Sequence, residues 1–196
     1  MKWYRRRAAC AVVVGLGVIL TTSQAADEKA IRAQVEELAG IAAKNPDELQ
    51  NKAAAWVKEN KDVDLDDIMG LLKRRMKDGS GGFGVGKEAT GKPEDSIETR
   101  IEKIAKSDPA KLSIKDKEDL IQALNRTRAI AAIAAATKPS KKVAGAEAKW
   151  KKFAEQMVKG SDELAKAIES GKAKDVQKAA TNLHGSCTDC HAEFRD

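Results

Sequence analysis

The last twenty or so residues confine the chain most narrowly. Val176, Ala180, Leu183, Cys187, Cys190 and Phe194 recur at alternating spacings of four and three. Side chains so spaced stack on one face of a 3.6-residue turn, so the segment from Lys174 onward reads as an amphipathic helix. The two cysteines belong to its apolar stripe. Whatever they bind therefore faces the interior between helices.

The same cysteines sit in Cys187-Thr188-Asp189-Cys190-His191. Cys-x-x-Cys-His is the attachment signature of c-type haem. Two thiols three residues apart lie on one side of a helical turn, where each can bond a vinyl carbon of a porphyrin. The imidazole of His191 is then placed to serve as the proximal iron ligand. A dithiol redox pair normally opens a helix after a strand, whereas this pair closes one. A zinc site built from His184, Cys187, Cys190 and His191 would crowd four ligands into two turns of one helix, far from tetrahedral geometry. A disulfide would suit an exported chain but leaves His191 unexplained. The expected cofactor is one covalent haem c, with its iron. His184, seven residues before His191 on nearly the same face, cannot reach the opposite side of that iron.

Export is written at the other end. Lys2, Arg5, Arg6 and Arg7 precede a short apolar run, Ala8 to Leu20, and then Ser23 and Ala25. This is the pattern of a secretory signal peptide cleaved near Ala25, and the run is short for a membrane span. Cys10 would leave with it. The expected location is the periplasm, with no membrane span in the mature chain. The leader holds four basic residues and no acidic one, so its removal lowers the net charge from +6 to +2. A nearly balanced chain without a basic run interleaved with aromatics gives no reason to expect a nucleic-acid partner.

Between the two ends the pattern is helical throughout. Ile31, Val35, Leu38 and Ala42 mark a helix from Glu28 that Asn45-Pro46 stops, and Leu49, Ala53, Trp56 and Val57 mark a second from Asp47 to Asn60. Asp64 is a candidate N-cap for a third, carrying Leu65, Ile68, Met69, Leu72 and Met76 and ending in the basic run Lys73-Arg74-Arg75. Gly79, Gly81, Gly82, Gly84 and Gly86 then predict a flexible connection, either a linker or a loop crossing the cofactor's edge. Gly81 to Lys87 nearly spells a phosphate-binding loop, but Glu88 stands where Ser or Thr is required and no strand precedes it. A short helix is expected over Ser96 to Lys106, broken by Asp108-Pro109. Ser113 and Asp116 form a capping pattern before a helix with Leu120, Leu124, Thr127, Ala131 and Ala134 inward. A long helix follows with Ala146, Trp150, Phe153, Met157, Gly160, Leu164 and Ile168 on its stripe, closed by Gly171. Trp56, Trp150 and Phe153 read as packing residues.

The predicted fold is all-α, an antiparallel helical bundle with extra N-terminal helices and a glycine-rich loop. Its expected parts are a signal peptide at 1–25, N-terminal helices at 26–78, the glycine-rich loop at 79–94 and a haem-binding bundle at 95–196.

Cys187-x-x-Cys190-His191-x-x-Phe194-Arg195, on the last helix after an amphipathic helix and a glycine turn, resembles the cytochrome c-prime family of class II c-type cytochromes. The resemblance is specific over about Ala146 to Asp196. It implies a four-helix bundle, with Cys187 and Cys190 as thioether positions and His191 as proximal ligand. It also sets Arg195 near the proximal haem face, although a cation at a solvated helix end has its own reason to be there. Family members leave the sixth position open behind an apolar side chain or fill it with Met from the first bundle helix. The candidates here are Met69, Met76 and Met157. Met69 is the best placed, on a separate helix, and Met157 fits the core stripe of its own.

With no nucleophile–base pair in view, the chain does not read as an enzyme. The first expectation is a monohaem electron carrier with redox proteins as partners and a homodimer left open. Two alternatives stand beside it. One is a five-coordinate protein binding small diatomic gases, with Ile130 and Ile133 lining its distal pocket. The other is a haem subunit docked on a larger oxidoreductase by its N-terminal helices.

Overall fold

The computed structural model describes residues 17–107, 112–139 and 145–195, without the side chains of residues 17–28 and of Ile114. The basic start of the leader and the Asp108-Pro109 breaker lie outside the described residues. Seven α-helices are present among them: α1 Gly17–Lys44, α2 Pro46–Glu59, α3 Leu65–Gly70, α4 Ile97–Lys106, α5 Ile114–Ala136, α6 Ala146–Ser170 and α7 Ala173–Phe194. A 3-10 turn spans Pro93–Asp95, and no strand occurs among the described residues beyond one isolated bridge between Arg75 and Gly81. The all-α class follows. No helix is long and apolar enough to cross a membrane among the described residues.

Local chemistry sets the helix ends. Ser113 accepts from the Asp116 N–H at 3.1 Å while the Asp116 carboxylate accepts from the Ser113 N–H at 3.2 Å, so a reciprocal capping box opens α5. Asp64 caps α3 through the Asp66 N–H at 2.9 Å, and Ser96 caps α4 through the Thr99 N–H at 3.3 Å. Gly171 closes α6 with φ 71°.

Helix α5 is the hub. It packs against α6 on one side and against α1 and α2 on another, while α7 lies between α6 and α4. Its predicted inner residues, Leu120, Leu124, Thr127, Ala131 and Ala134, are all buried. Helices α6 and α7 form an antiparallel hairpin around Gly160, where an added Cβ would stand 3.2 Å from the Leu183 Cα. Only glycine leaves the two backbones that close without displacement. The N-terminal helices turn their apolar faces inward: Val35, Leu38, Leu49 and Ala53 are buried, and Arg128 of α5 donates to the Ala42 carbonyl at 3.0 Å. Helix α4 runs antiparallel to α7, with Gln177 donating to the Ala105 carbonyl at 3.4 Å and Glu98 beside His191 at the other end.

Two expectations are corrected here. The third helix stops at Gly70, so Met76 and the basic run lie beyond it, and Met76 is exposed. The glycine-rich stretch is folded rather than a loose connection. The buried Asp95 carboxylate accepts from the Val85 and Thr90 N–H groups at 3.2 and 3.1 Å and pairs with the Arg75 guanidinium at 3.3 Å. Arg75 also donates to the Gly86 and Glu88 carbonyls at 2.7 and 2.6 Å. Phe83 is buried, with Arg32 and Arg126 stacked on its ring at 5.4 and 5.1 Å from the centroid. Gly82 is obligatory in this packing, since a Cβ there would meet the Lys73 carbonyl oxygen at 1.8 Å. The loop therefore lies on α1 and the middle of α5.

Candidate haem site

Antiparallel packing gathers the C-terminal ends of α5 and α7 and the N-terminal ends of α4 and α6 at one end of the bundle, with α3 alongside. The Cys-x-x-Cys-His motif sits there, on the last two turns of α7. Trp150 is buried and anchors the end by donating its indole N–H to the Ala134 carbonyl at 2.7 Å. Phe194 stands edge-on to Trp150 at 5.1 Å and to Phe153 at 6.3 Å between ring centroids.

Two apolar clusters meet at the motif. Cys187 packs against the main core, whereas Cys190 and Phe194 pack against a smaller cluster of Ala134, Trp150 and Ala154. Leu65 and Met69 of α3 and Ala135 of α5 close over that smaller cluster. Met69 and Cys190 are thus brought to one apolar neighbourhood from opposite ends of the chain. Met157 belongs to the main core. Ile130 and Ile133 do too, buried away from the smaller cluster.

Both thiols are free and only partly exposed. Burial pushes the Cys187 thiol up to about 12, helped by the negative charge of Glu98, and burial pushes Cys190 up to about 11. They are held as neutral thiols at physiological pH. His191 is partly exposed, and its Nδ1 lies 3.9 Å from the Glu98 carboxylate of α4. The far ring nitrogen, Nε2, is left for a ligand. His184 lies near Glu102 on the same α4–α7 seam, one step back from the motif. Arg195 ends α7, its N–H bonded to the His191 carbonyl at 3.0 Å and its side chain exposed.

The residues present fit haem c. Two neutral sulfurs share one helix face, and one imidazole presents a single nitrogen. Zinc fits poorly, since no group of three His, Cys, Asp or Glu side chains close enough to hold a metal ion exists among the described residues. Glu98 was not singled out from the sequence. It stands in the first turn of a short helix, where an acid suits the helix dipole, and only the pairing of α4 with α7 gives it a partner.

Comparison with curated proteins and with solved structures returned no match. The sequence model of the family described as Cytochrome C' matches residues 110–195, which span α5, α6 and α7 and include the whole motif. Members of that family bind haem c, iron included, through a covalent link. Helices α1 to α4, with Met69 and Glu98, lie before the matched segment. The match over residues 110–195 is thus consistent with a class II c-type cytochrome and supports a c-type haem protein.

Proposed function

We propose that the protein is an exported, periplasmic monohaem electron carrier and not an enzyme. In this reading Cys187 and Cys190 hold the haem through thioether bonds, His191 is the proximal ligand and Met69 the distal one. The observation that carries it is the shared apolar neighbourhood of Cys190, Phe194 and Met69 at the motif's end of the bundle. Haem c, when bound, supplies a one-electron iron centre.

The chain's own residues do the rest. Cys187 and Cys190 fix the ring's position on α7. Trp150, Phe194 and Leu65 exclude water from its surroundings, and a dry site keeps the charge change on the iron poorly solvated. Thioether coordination by Met69 together with His191 would raise the potential. The exposed Arg195 lies one turn beyond the proximal ligand, where a cation also disfavours the ferric charge. A leader at 1–25 accounts for delivery to an oxidising compartment. Redox proteins are the expected partners, and a homodimer fits the reading as well as a monomer does.

The two alternatives draw less support. Gas binding behind Ile130 and Ile133 gains little from those side chains, which are buried in the main core. Docking by the N-terminal helices would need a free apolar face, whereas α1 and α2 turn theirs toward α5.

The test is spectroscopic. The ferrous protein should be low-spin, and the ferric protein should show the weak long-wavelength band of Met–iron coordination. Met69→Ala should abolish that band and lower the potential. High-spin ferrous iron that binds carbon monoxide rapidly in the unaltered protein would reject Met69 as ligand. Cys187→Ser and Cys190→Ser should each weaken covalent retention of haem after acid–acetone extraction. Full retention in both variants would overturn the attachment.

A further inference from the structure

Resting on the reading of His191 as proximal ligand, we infer that Glu98 is the positioning residue for that ligand: from α4 its carboxylate accepts the Nδ1–H of the imidazole, sets the ring's tautomer and rotation, and leaves Nε2 to the iron. The nitrogen that faces Glu98 is Nδ1, at 3.9 Å from Oε1. That gap closes to a hydrogen bond with a small rotation of two partly exposed side chains. A metal-bound imidazole usually gives its second N–H to a carboxylate or carbonyl, which orients the ring and strengthens it as a donor.

The backbone of Glu98 is firmly held. Ser96 caps the helix immediately before it and donates its hydroxyl to the Leu72 carbonyl at 3.2 Å. Ile97, Ile101 and Ile104 are buried along the α4–α7 side, so the register of α4 against α7 is fixed by the core. The neighbouring acids have other partners. Glu193, on α7 beside the motif, is held by Lys149 at 2.6 Å, and Glu102, one turn along α4, by Lys106 at 2.5 Å. Glu98 is the carboxylate directed at His191. It comes from outside the segment that matches the family, whereas Cys187, Cys190 and His191 lie within it.

A carboxylate on Nδ1 makes the imidazole a stronger donor and favours ferric over ferrous iron. The experiment uses the haem-loaded full chain as Glu98→Gln, Glu98→Ala and, as control, Glu102→Gln. Midpoint potentials and the hyperfine-shifted His191 ring protons, including exchange of the Nδ1 proton with solvent, are read by spectroelectrochemistry and NMR. Glu98→Ala should raise the potential, shifting the reduction equilibrium by about tenfold, the order of effect that loss of such a partner has on metal affinity. It should also speed exchange of the Nδ1 proton, with Glu98→Gln intermediate because its amide oxygen still accepts. Glu102→Gln should leave both readouts unchanged. Unaltered potential and ring shifts in both Glu98 variants overturn the inference, as does an equal effect from Glu102→Gln, which would mean general charge alone. A His191→Ala protein with the spectrum of the unaltered one would overturn the ligand assignment and this inference with it. Intact His191 ligation with silent Glu98 variants overturns this inference only.

Discussion

Before haem is attached, the two thiols of the motif should be nearly inert, and the degree of inertness can be worked out. The reacting species in alkylation is the thiolate. An ordinary thiol, with a value of 9.0, is about one-tenth ionised at pH 8. Burial, with Glu98 adding its charge at Cys187, raises the two groups to about 12 and about 11. At pH 8 the ionised fractions fall to roughly 1 in 10,000 and 1 in 1,000, so alkylation should slow by about 1,000-fold at Cys187 and about 100-fold at Cys190. The assay is iodoacetamide labelling of the haem-free chain at several pH values, with each cysteine quantified by peptide mass and helicity followed by circular dichroism. The sign for stability follows from the same values. The folded chain retains protons that the unfolded chain gives up above about pH 9, so these thiols cost stability progressively as pH rises from about 9 towards 12 and nothing below. Labelling at the rate of an unfolded control, with native helicity intact, would refute the claim that the motif is folded into the apolar seam.

Two further outcomes test the scaffold around the site. Ser113→Ala removes the capping box of the hub helix and should lower stability by about 1 kcal/mol in urea unfolding, with helix content otherwise unchanged. Gly82→Ala places a methyl group against the Lys73 carbonyl and should cost about 1–3 kcal/mol or more, with earlier proteolysis between residues 73 and 92 while α5 to α7 stay protected.

Much of this was legible because the chemistry is local. Ser113 with Asp116, Asp64, Gly171 and the Asn45-Pro46 break each act within a few residues, and each helix end lies within a residue or two of the place they predict. The stripe through Cys187 and Cys190 likewise needs only helical periodicity to aim both thiols inward. What stayed hidden depends on residues far apart. Leu71 and Leu72 continue a helical pattern past Gly70, yet the Leu71 carbonyl accepts from Phe83 and the Leu72 carbonyl from Ile97, and these contacts end the helix. Glycines suggested a loose loop, but Asp95 and Arg75, twenty residues apart, supply the partners that order it. Glu98 had no readable role until α4 was set against α7.

The small cluster around Cys190 joins residues more than eighty positions apart in the chain, Leu65 and Met69 on one side and Trp150 and Phe194 on the other. In the exported reading proposed above, α3 and α4 reach the far side of the membrane before the two thiols emerge. While the motif is still arriving, its eventual cover has nothing to close on, and both sulfurs stand open to the attachment chemistry. Afterwards that cover is lightly held, since α3 has six residues, one buried side chain and a single capping carboxylate. The order of arrival and the weakness of α3 thus work in the same direction: haem attachment can precede the last act of folding, and the wall that later excludes water need not obstruct it.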